Sequence, residues 1–226
     1  MSGIDWDHEL PSHLLQEWLT YRSDLAKLNH FRIPRWINTN ADDKEVELHG
    51  FSDASNHTYA AVIYIRSIDK NNAVHVNLVT LKTKVSPIKQ VSIPRLELCG
   101  AQLLAKLILE VSETLEIPKE KIHAWTDSSV VLAWFSSHPS KWKTFVANRT
   151  SEILTILDRS QWVHVKSKDN PADCASRGVK DYDNLSLWKH GPSWLSEATI
   201  NYSPQEECQD TKLEVRDKKL CHTVDS

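Results

Sequence analysis

The spacing of apolar residues changes from a period of two to a helical period at about residue 94, which limits the folds open to this chain. Residues 46–55, 59–67 and 73–83 have strand patterns separated by polar turns. Helical spacing then covers residues 94–115. The remaining order is a strand at 121–127, helices at 128–137 and about 142–157, a strand at 161–167 and a helix at 172–177.

This order, β-β-β-α-β-α-α-β-α, is typical of an α/β fold. The first three strands follow one another through short turns, so we expect an antiparallel meander. A strand that follows a helix joins the sheet through a parallel crossover. The sequence therefore predicts a mixed five-stranded sheet, with a three-strand antiparallel meander plus parallel strands, flanked by helices.

The composition excludes several classes of protein. Hydrophobic residues at 40% and charged residues at 25% are those of an ordinary globular chain. No run of 18 apolar residues is present, and the first twenty residues carry acids where a signal peptide needs a basic start. The four cysteines are too scattered for a disulfide scaffold. We therefore expect an intracellular protein; the resemblance described below implies the cytoplasm, with the nucleus as the alternative.

The two ends of the chain differ from this central pattern. Residues 9–28 carry leucines and a tryptophan at helical intervals, and Pro34 stops the pattern. A single amphipathic helix without its own core is typical of a docking element or of the end of an upstream domain. After residue 180 the signals weaken, and the last thirty residues are polar and acidic, which predicts an extended or disordered tail.

Four acidic residues lie at the ends of predicted elements. Asp53 closes the first strand and Asp127 closes the fourth, while Glu97 opens the long helix and Asp173 lies in the first turn of the last helix. If strands one and four are parallel neighbours, Asp53 and Asp127 leave the sheet at the same edge. Clustered carboxylates raise one another's pKa, and a hard divalent cation removes that cost. The pattern predicts two Mg²⁺ or Mn²⁺ ions that support an in-line attack on phosphorus.

Each acid taken singly also has a structural explanation. An aspartate after a strand caps a turn, and acids at helix N-termini are favourable because of the helix dipole. The metal site is favoured because all four acids occur together in this order of elements.

The segments that carry these acids resemble a known family. They read FSDAS, PRLELCGAQLLAK, WTDSSVVLAWF and KDNPADCASRG, flanked by KWKTFVANRT and SLWKHGPSWL. They are similar to the RNase H region of BEL/Pao long-terminal-repeat retrotransposon polyproteins, which is also catalogued with the Pao retrotransposon peptidases. The resemblance implies an RNase H-like domain at 44–180, a helical remnant of the reverse-transcriptase region at 1–38, and a polar tail at 181–226 leading toward the integrase region.

The resemblance also implies a function, which is two-metal hydrolysis of the RNA strand in RNA–DNA hybrids during reverse transcription. The metal-binding acids carry over to Asp53, Glu97, Asp127 and Asp173. The implied partners are the hybrid and the neighbouring regions of the polyprotein, within a cytoplasmic virus-like particle and without a membrane.

Other side chains near these acids are candidates for contacts with the hybrid. Cleavage of RNA alone requires recognition of the 2′-hydroxyl, which small polar side chains can supply, whereas basic side chains hold phosphates without reading sequence. Basic stretches at 81–96 and 138–151 contain no acid, although lysines in such stretches are often only solvated. The candidates are Ser55, Asn56, Ser128 and Ser129 for the 2′-hydroxyl, and Lys141, Lys143, Asn148 and Arg149 for phosphates.

One departure from the family concerns a histidine. Cellular-type members of the ribonuclease H family place a histidine in the loop just before the last aspartate, and here that loop reads KSKDNPA. His164 is the nearest, within the last predicted strand, and either a structural or a catalytic role is open for it. Trp134 and Trp142 are predicted to lie in the core rather than to stack on substrate.

Two other functions are alternatives. An aspartic peptidase needs an aspartate-serine/threonine-glycine turn, and the turns after Asp53 and Asp127 both lack the glycine, so this chemistry is disfavoured. An inactive or domesticated fragment could instead bind nucleic acid or a protein partner without catalysis. The presence of all four acids favours the enzyme over this second alternative.

Overall fold

The computed structural model of the chain describes residues 7–30, 32–178, 185–200 and 211–216. It divides into two units, residues 1–35 and residues 36–226. The described part of the first unit is helix α1, Ser12–Leu25, followed by a 3₁₀ turn, and none of the residues of α1 is buried. The second unit contains the sheet. Among the described residues, no helix has the length and apolar character needed to cross a membrane.

The described residues of the second unit form a five-stranded sheet in the order β3-β2-β1-β4-β5. The first three strands pair antiparallel, whereas β1 pairs with β4, and β4 with β5, in parallel. This confirms the predicted mixed sheet. The strands are β1 Glu45–Ala54, β2 Thr58–Ile68, β3 Val74–Val85, β4 Ile122–Thr126 and β5 Trp162–His164.

The helices lie in the predicted order between and after the strands. Three of them, α2 to α4, pack with one face of the sheet in a core that contains Leu48, Leu104 and Trp134. The short α5 follows β5. The helices are α2 Ile93–Leu115, α3 Ser129–Phe135, α4 Thr144–Ile156, α5 Ala172–Arg177 and α6 Ser186–His190.

Helix α2 shows how sequence and packing agree. Pro94 lies in its first turn, where a missing N–H costs nothing, and the helix ends at Glu116 in a left-handed conformation with φ of 54°. Its apolar face lies on β1 at Gly50. A Cβ added at Gly50 would lie 2.6 Å from Leu104 Cδ1 and 2.7 Å from Ile108 Cδ1, so a larger residue here would force the ends of these two buried side chains to move.

The second face of the sheet is covered by α5 and by residues 185–200. Phe51, Tyr64 and Trp125 form a buried cluster with Leu195. The Arg66 guanidinium in β2 holds this segment, donating from Nε to the Leu195 carbonyl at 3.0 Å. The structure thus differs from the sequence expectation, which placed the start of a polar tail at residue 181. Of the remainder of that tail, residues 181–184, 201–210 and 217–226 lie outside the described residues.

A second carboxyl-terminal segment, residues 211–216, lies along the chain between α3 and α4. Val215 forms an antiparallel bridge with Trp142. The Lys143 N–H donates to the Glu214 carbonyl at 2.7 Å, and the Arg216 N–H donates to the Lys141 carbonyl at 2.9 Å. This segment therefore adds a strand-like edge to the domain that periodicity alone did not predict.

Candidate functional site

The parallel pairing of β1 and β4 brings two of the predicted acids to one edge of the sheet. Ser52 pairs with Thr126, so Asp53 and Asp127 are the next residues along these neighbouring strands. Asp53 is only 4% exposed, and Asp127 is half-buried. The carboxyl ends of parallel strands are where α/β sheets place their binding sites.

Helix α2 brings Glu97 to the same edge. Glu97 lies just after the first turn of α2, and Gly100 lies on the same side of the helix three residues later. A Cβ at Gly100 would lie 3.0 Å from the Asp53 carbonyl oxygen. The absence of a side chain at Gly100 therefore lets the start of α2 approach the end of β1.

Helix α5 contributes the fourth acid, Asp173, in its first turn. The Arg177 guanidinium one turn later lies 2.6 Å from Asp173 Oδ1. The Ser176 hydroxyl on the same helix donates a short hydrogen bond to Asp53 Oδ2. Helix α5 thus places one carboxylate at the site and positions another.

Two further polar side chains orient the carboxylates. The Ser128 hydroxyl donates to Glu97 Oε2 at 2.6 Å and accepts from the Val131 N–H at 3.2 Å, so it also caps α3. The fully buried Asn170 amide donates to the Ser52 carbonyl at 3.0 Å and to Asp127 Oδ1 at 3.4 Å. The sequence analysis did not single out Asn170 or Ser176. Both residues belong to the DNPADCAS segment that carries Asp173, and this was the available signal.

The electrostatics of this edge are those of crowded, poorly hydrated acids. Burial raises the pKa of Asp53 to about 6, helped by Asp127 and Asp173 and opposed by the Ser176 hydrogen bond. Burial also raises the pKa of Glu97, opposed by the hydrogen bond from Ser128. An all-oxygen set that includes these two carboxyls of raised pKa suits a hard divalent cation, which would favour their ionised forms.

The carboxylate edge is distinct from a second cluster on β1 and β4. Among the described residues, the group whose ligand atoms all lie within 4.8 Å of one another is Glu47, His49 and His123. No three of the four edge carboxylates, all of which the structure describes, meet this spacing, although Asp127 contributes to the raised pKa of both Asp53 and Glu97.

The contacts of this second cluster are those of a buried ion pair. The Arg66 Nη1 donates to Glu47 Oε2 at 2.9 Å. Trp125 Nε1 can only donate, and it lies 3.3 Å from His49 Nδ1, so the hydrogen of the neutral imidazole is on Nε2, facing Glu47. Burial lowers the pKa of His49 to about 4, which keeps the ring neutral. With Nε2 protonated and a guanidinium beside Glu47, this group is a hydrogen-bond network rather than a metal site.

The predicted nucleic-acid contacts fall into two places. The first set flanks the carboxylates: the Ser55 hydroxyl donates to the Ser176 carbonyl at 2.6 Å, Ser128 is committed to Glu97, and Asn56 and Ser129 are exposed. The second set lies just before α4 and in the second turn of that helix. It consists of Lys141, Lys143, Asn148 and Arg149, of which Lys143 and Asn148 are exposed.

The remaining candidates are placed as follows. His164 ends β5, is exposed and pairs in register with Thr126, the residue before Asp127. Trp134 and Trp142 are 1% and 0% exposed, which confirms the prediction that they belong to the core.

Comparison with known families decides the identity of the fold. A family model described as Pao retrotransposon-like RNaseH-like domain matches residues 1–128, more than half of the chain. The chain belongs to this Pao RNaseH-like family. The family assignment confirms the predicted resemblance and the RNase H-like character of the mixed sheet. The match includes Asp53, Glu97 and Asp127, whereas Asp173 lies beyond it.

Solved structures with similarity to this Pao RNaseH-like domain include three RNases H. The amino-terminal RNase H domain of a Mycobacterium tuberculosis protein is 14% identical, with a TM-score of 0.40, covering 63% of this chain and 96% of that one. RNase H1 of Halobacterium salinarum is 16% identical (TM-score 0.34, 58% and 92% covered). RNase H1 LC11 from compost, solved with an RNA/DNA hybrid, is 9% identical (TM-score 0.36, 56% and 88% covered). Curated protein sequences give no significant match.

Proposed function

We propose that this Pao RNaseH-like domain hydrolyses the RNA strand of RNA–DNA hybrids with two divalent metal ions, Mg²⁺ or Mn²⁺. The observation that carries the proposal is the convergence of Asp53, Glu97 and Asp127 at one edge of the sheet, with Asp173 close enough to raise the pKa of Asp53. Family membership supports the same chemistry. The four acids would hold the ions.

The chain's own contribution is to arrange the carboxylates. When bound, the ions supply an activated water and stabilise the leaving oxygen of an in-line displacement. Ser128, Asn170 and Ser176 hold Glu97, Asp127 and Asp53 respectively through hydrogen bonds, so the oxygens are oriented before substrate arrives. Burial of Asp53 keeps bulk water from this side of the site.

We further propose that the hybrid lies across the carboxylate edge. Asn56 and Ser129 are exposed beside it, and in this proposal they face the 2′-hydroxyls of the RNA strand. In the same proposal, Lys143, just before α4, and Asn148, in the second turn of α4, contact phosphates of the hybrid. The assignment of residues 1–38 to a reverse-transcriptase region, and the polyprotein and integrase context, stay predictions.

The test is cleavage of a hybrid whose RNA strand is labelled, in Mg²⁺ and in Mn²⁺. The Asp127→Asn variant keeps an oxygen that can accept from Asn170 but removes the charge, and we expect a loss of about a hundredfold or more. Asp42→Asn, at an exposed position in a turn, removes the same charge elsewhere and is the matched control. A folded wild-type protein that cuts neither strand with either metal would refute the proposal and favour binding without catalysis.

A further inference from the structure

A cluster of positive charge lies where α2 and α4 begin. Arg95 is in the first turn of α2, Lys143 precedes α4, and Arg149 is in the second turn of α4. The guanidinium carbons of Arg95 and Arg149 lie 4.9 and 3.7 Å from the centroid of the Phe145 ring. The amino-terminal end of the 13-residue α4 adds the partial positive charge of the helix dipole.

One carboxylate lies in this cluster, that of Glu214. Its two oxygens accept from Arg95 Nε at 2.7 Å and from Arg95 Nη2 at 2.8 Å. The Glu214 side chain is 16% exposed. Arg95 lowers the pKa of Glu214, with a smaller contribution from Lys143, so the carboxylate is ionised at neutral pH.

The charges of this cluster are not balanced. Arg95 and Lys143 act on the carboxylate of Glu214, whereas Arg149 acts on the exposed Glu152, which already pairs with Lys106. The buried Nε of Arg149 has no hydrogen-bond partner among the described residues. A guanidinium binds a carboxylate and a phosphate with the same two-pronged geometry, so the Arg95–Glu214 pair shows how a phosphate would be held.

The segment that carries Glu214 is held by few contacts. Trp134 Nε1 donates to the Leu213 carbonyl at 3.2 Å, and two main-chain hydrogen bonds, which form the bridge between Trp142 and Val215, join 214–216 to 141–143. Glu214 itself adopts a left-handed conformation with φ of 64°, which is unfavourable for a residue with a side chain. Its ion pair with Arg95 offsets this local strain.

We propose that Arg95, Lys143 and Arg149 form a binding site for the phosphodiester groups of a polynucleotide, and that Glu214 occupies this site until the polynucleotide displaces residues 211–216. Arg95 and Glu97 are two residues apart near the start of α2 and point to different sides of the helix, so the phosphate site and the carboxylate edge are separated by one helix width, about 10 Å. The identity of the polynucleotide as an RNA–DNA hybrid rests on the proposed function.

The first test is binding of a fluorescent 20-base-pair RNA–DNA hybrid, and separately of single-stranded DNA of equal length, to protein carrying Asp127→Asn so that RNA is not cut. Adding Glu214→Gln frees Arg95, and we expect roughly threefold to tenfold tighter binding, with a log–log salt slope steeper by about one. Glu214→Lys should have a larger effect. Glu45→Gln removes the carboxylate that pairs with Lys121 at the opposite end of β1, and is the matched control.

The second test follows displacement of the segment itself. The Trp134 indole N–H is bonded to Leu213, so its proton–nitrogen NMR signal should move when polynucleotide binds. Tighter binding of both polynucleotides by the Glu214 variants together with this movement supports the inference. Tighter binding of DNA alone supports the phosphate site but contradicts the hybrid as its substrate. Unchanged affinities, no binding to either polynucleotide, or a stationary Trp134 signal on binding overturns the inference, whatever the cleavage assay shows.

Discussion

Replacing Asp53 with asparagine should stabilise the protein at neutral pH when divalent metal is removed. In the folded protein this carboxyl is 4% exposed and has two acidic neighbours, which together raise its pKa from 3.8 to about 6. Asparagine has the same shape and keeps an oxygen that can accept from the Ser176 hydroxyl. The substitution therefore removes a buried charge without opening a cavity.

The magnitude follows from proton linkage. Between pH 3.8 and about 6 the folded state binds the Asp53 proton more tightly than the unfolded state, so the unfolding free energy falls as the pH rises through this window. Above pH 6 Asp53 is ionised in both states, and the full cost of burying its charge lowers the unfolding free energy. A pKa rise of about two corresponds to about 3 kcal/mol, which is the largest gain expected for Asp53→Asn at pH 7. The gain should vanish below pH 3.8.

The assay is thermal and urea unfolding followed by tryptophan fluorescence in a chelator. For a chain of this size, about 3 kcal/mol raises Tm by roughly 6–12 °C. Asp42→Asn is again the control, since that side chain is exposed. Saturating Mg²⁺ should stabilise the wild type and not the variant, because the variant lacks one proposed ligand. A variant that is less stable than the wild type at pH 7, or equally stabilised at pH 3.5, would refute this reasoning.

Two further predictions concern the sheet and its helices. Burial lowers the pKa of His49 from 6.5 to about 4, so the unfolded state takes up this proton first, and acidification through that range should cost the wild type up to about 3 kcal/mol. Urea unfolding of His49→Gln should lack this part of the pH dependence, and an unchanged dependence would contradict the buried neutral ring. Gly100→Val forces a side chain against the Asp53 carbonyl, and we expect a loss of roughly 1–3 kcal/mol together with slower cleavage, because Glu97 moves with α2. If Gly100→Val instead had the unfolding free energy and the cleavage rate of the wild type, α2 would have to shift without cost, which would contradict this prediction.

The order of strands and helices could be predicted because it depends on local periodicity. The β-rich apolar run of β2, the alternation in β3 and the long apolar face of α2 are properties of neighbouring residues. The meeting of Asp53 and Asp127 followed from one topological rule, that adjacent parallel strands end at the same edge. These parts of the fold and of the candidate site were therefore accessible from the sequence.

The remaining contacts depend on partners far apart in the chain. Asn170 and Ser176 reach the carboxylates only after α5 packs on the sheet, and nothing in their own type distinguishes them from surface polar residues. Glu47 lies between two apolar residues of β1, a position typical of an exposed side chain in an alternating strand. In the folded protein it is buried against Arg66, His49 and His123. Part of what holds residues 185–200 and 211–216 is hydrogen bonding from Arg66 and Trp134 to main-chain carbonyls, which every sequence possesses.

The covering of the second sheet face by residues 185–200 has a consequence for the order of folding. Arg66 bonds to the carbonyl of Leu195, 129 residues later in the chain. At ribosomal rates of about 5–20 residues per second, β2 waits on the order of 10 s for this partner. Until residues 185–200 are made, Phe51 and Tyr64 lack Leu195 and Trp194 among their packing partners. A sheet that forms before then therefore exposes part of an aromatic surface to chaperones and to other nascent chains.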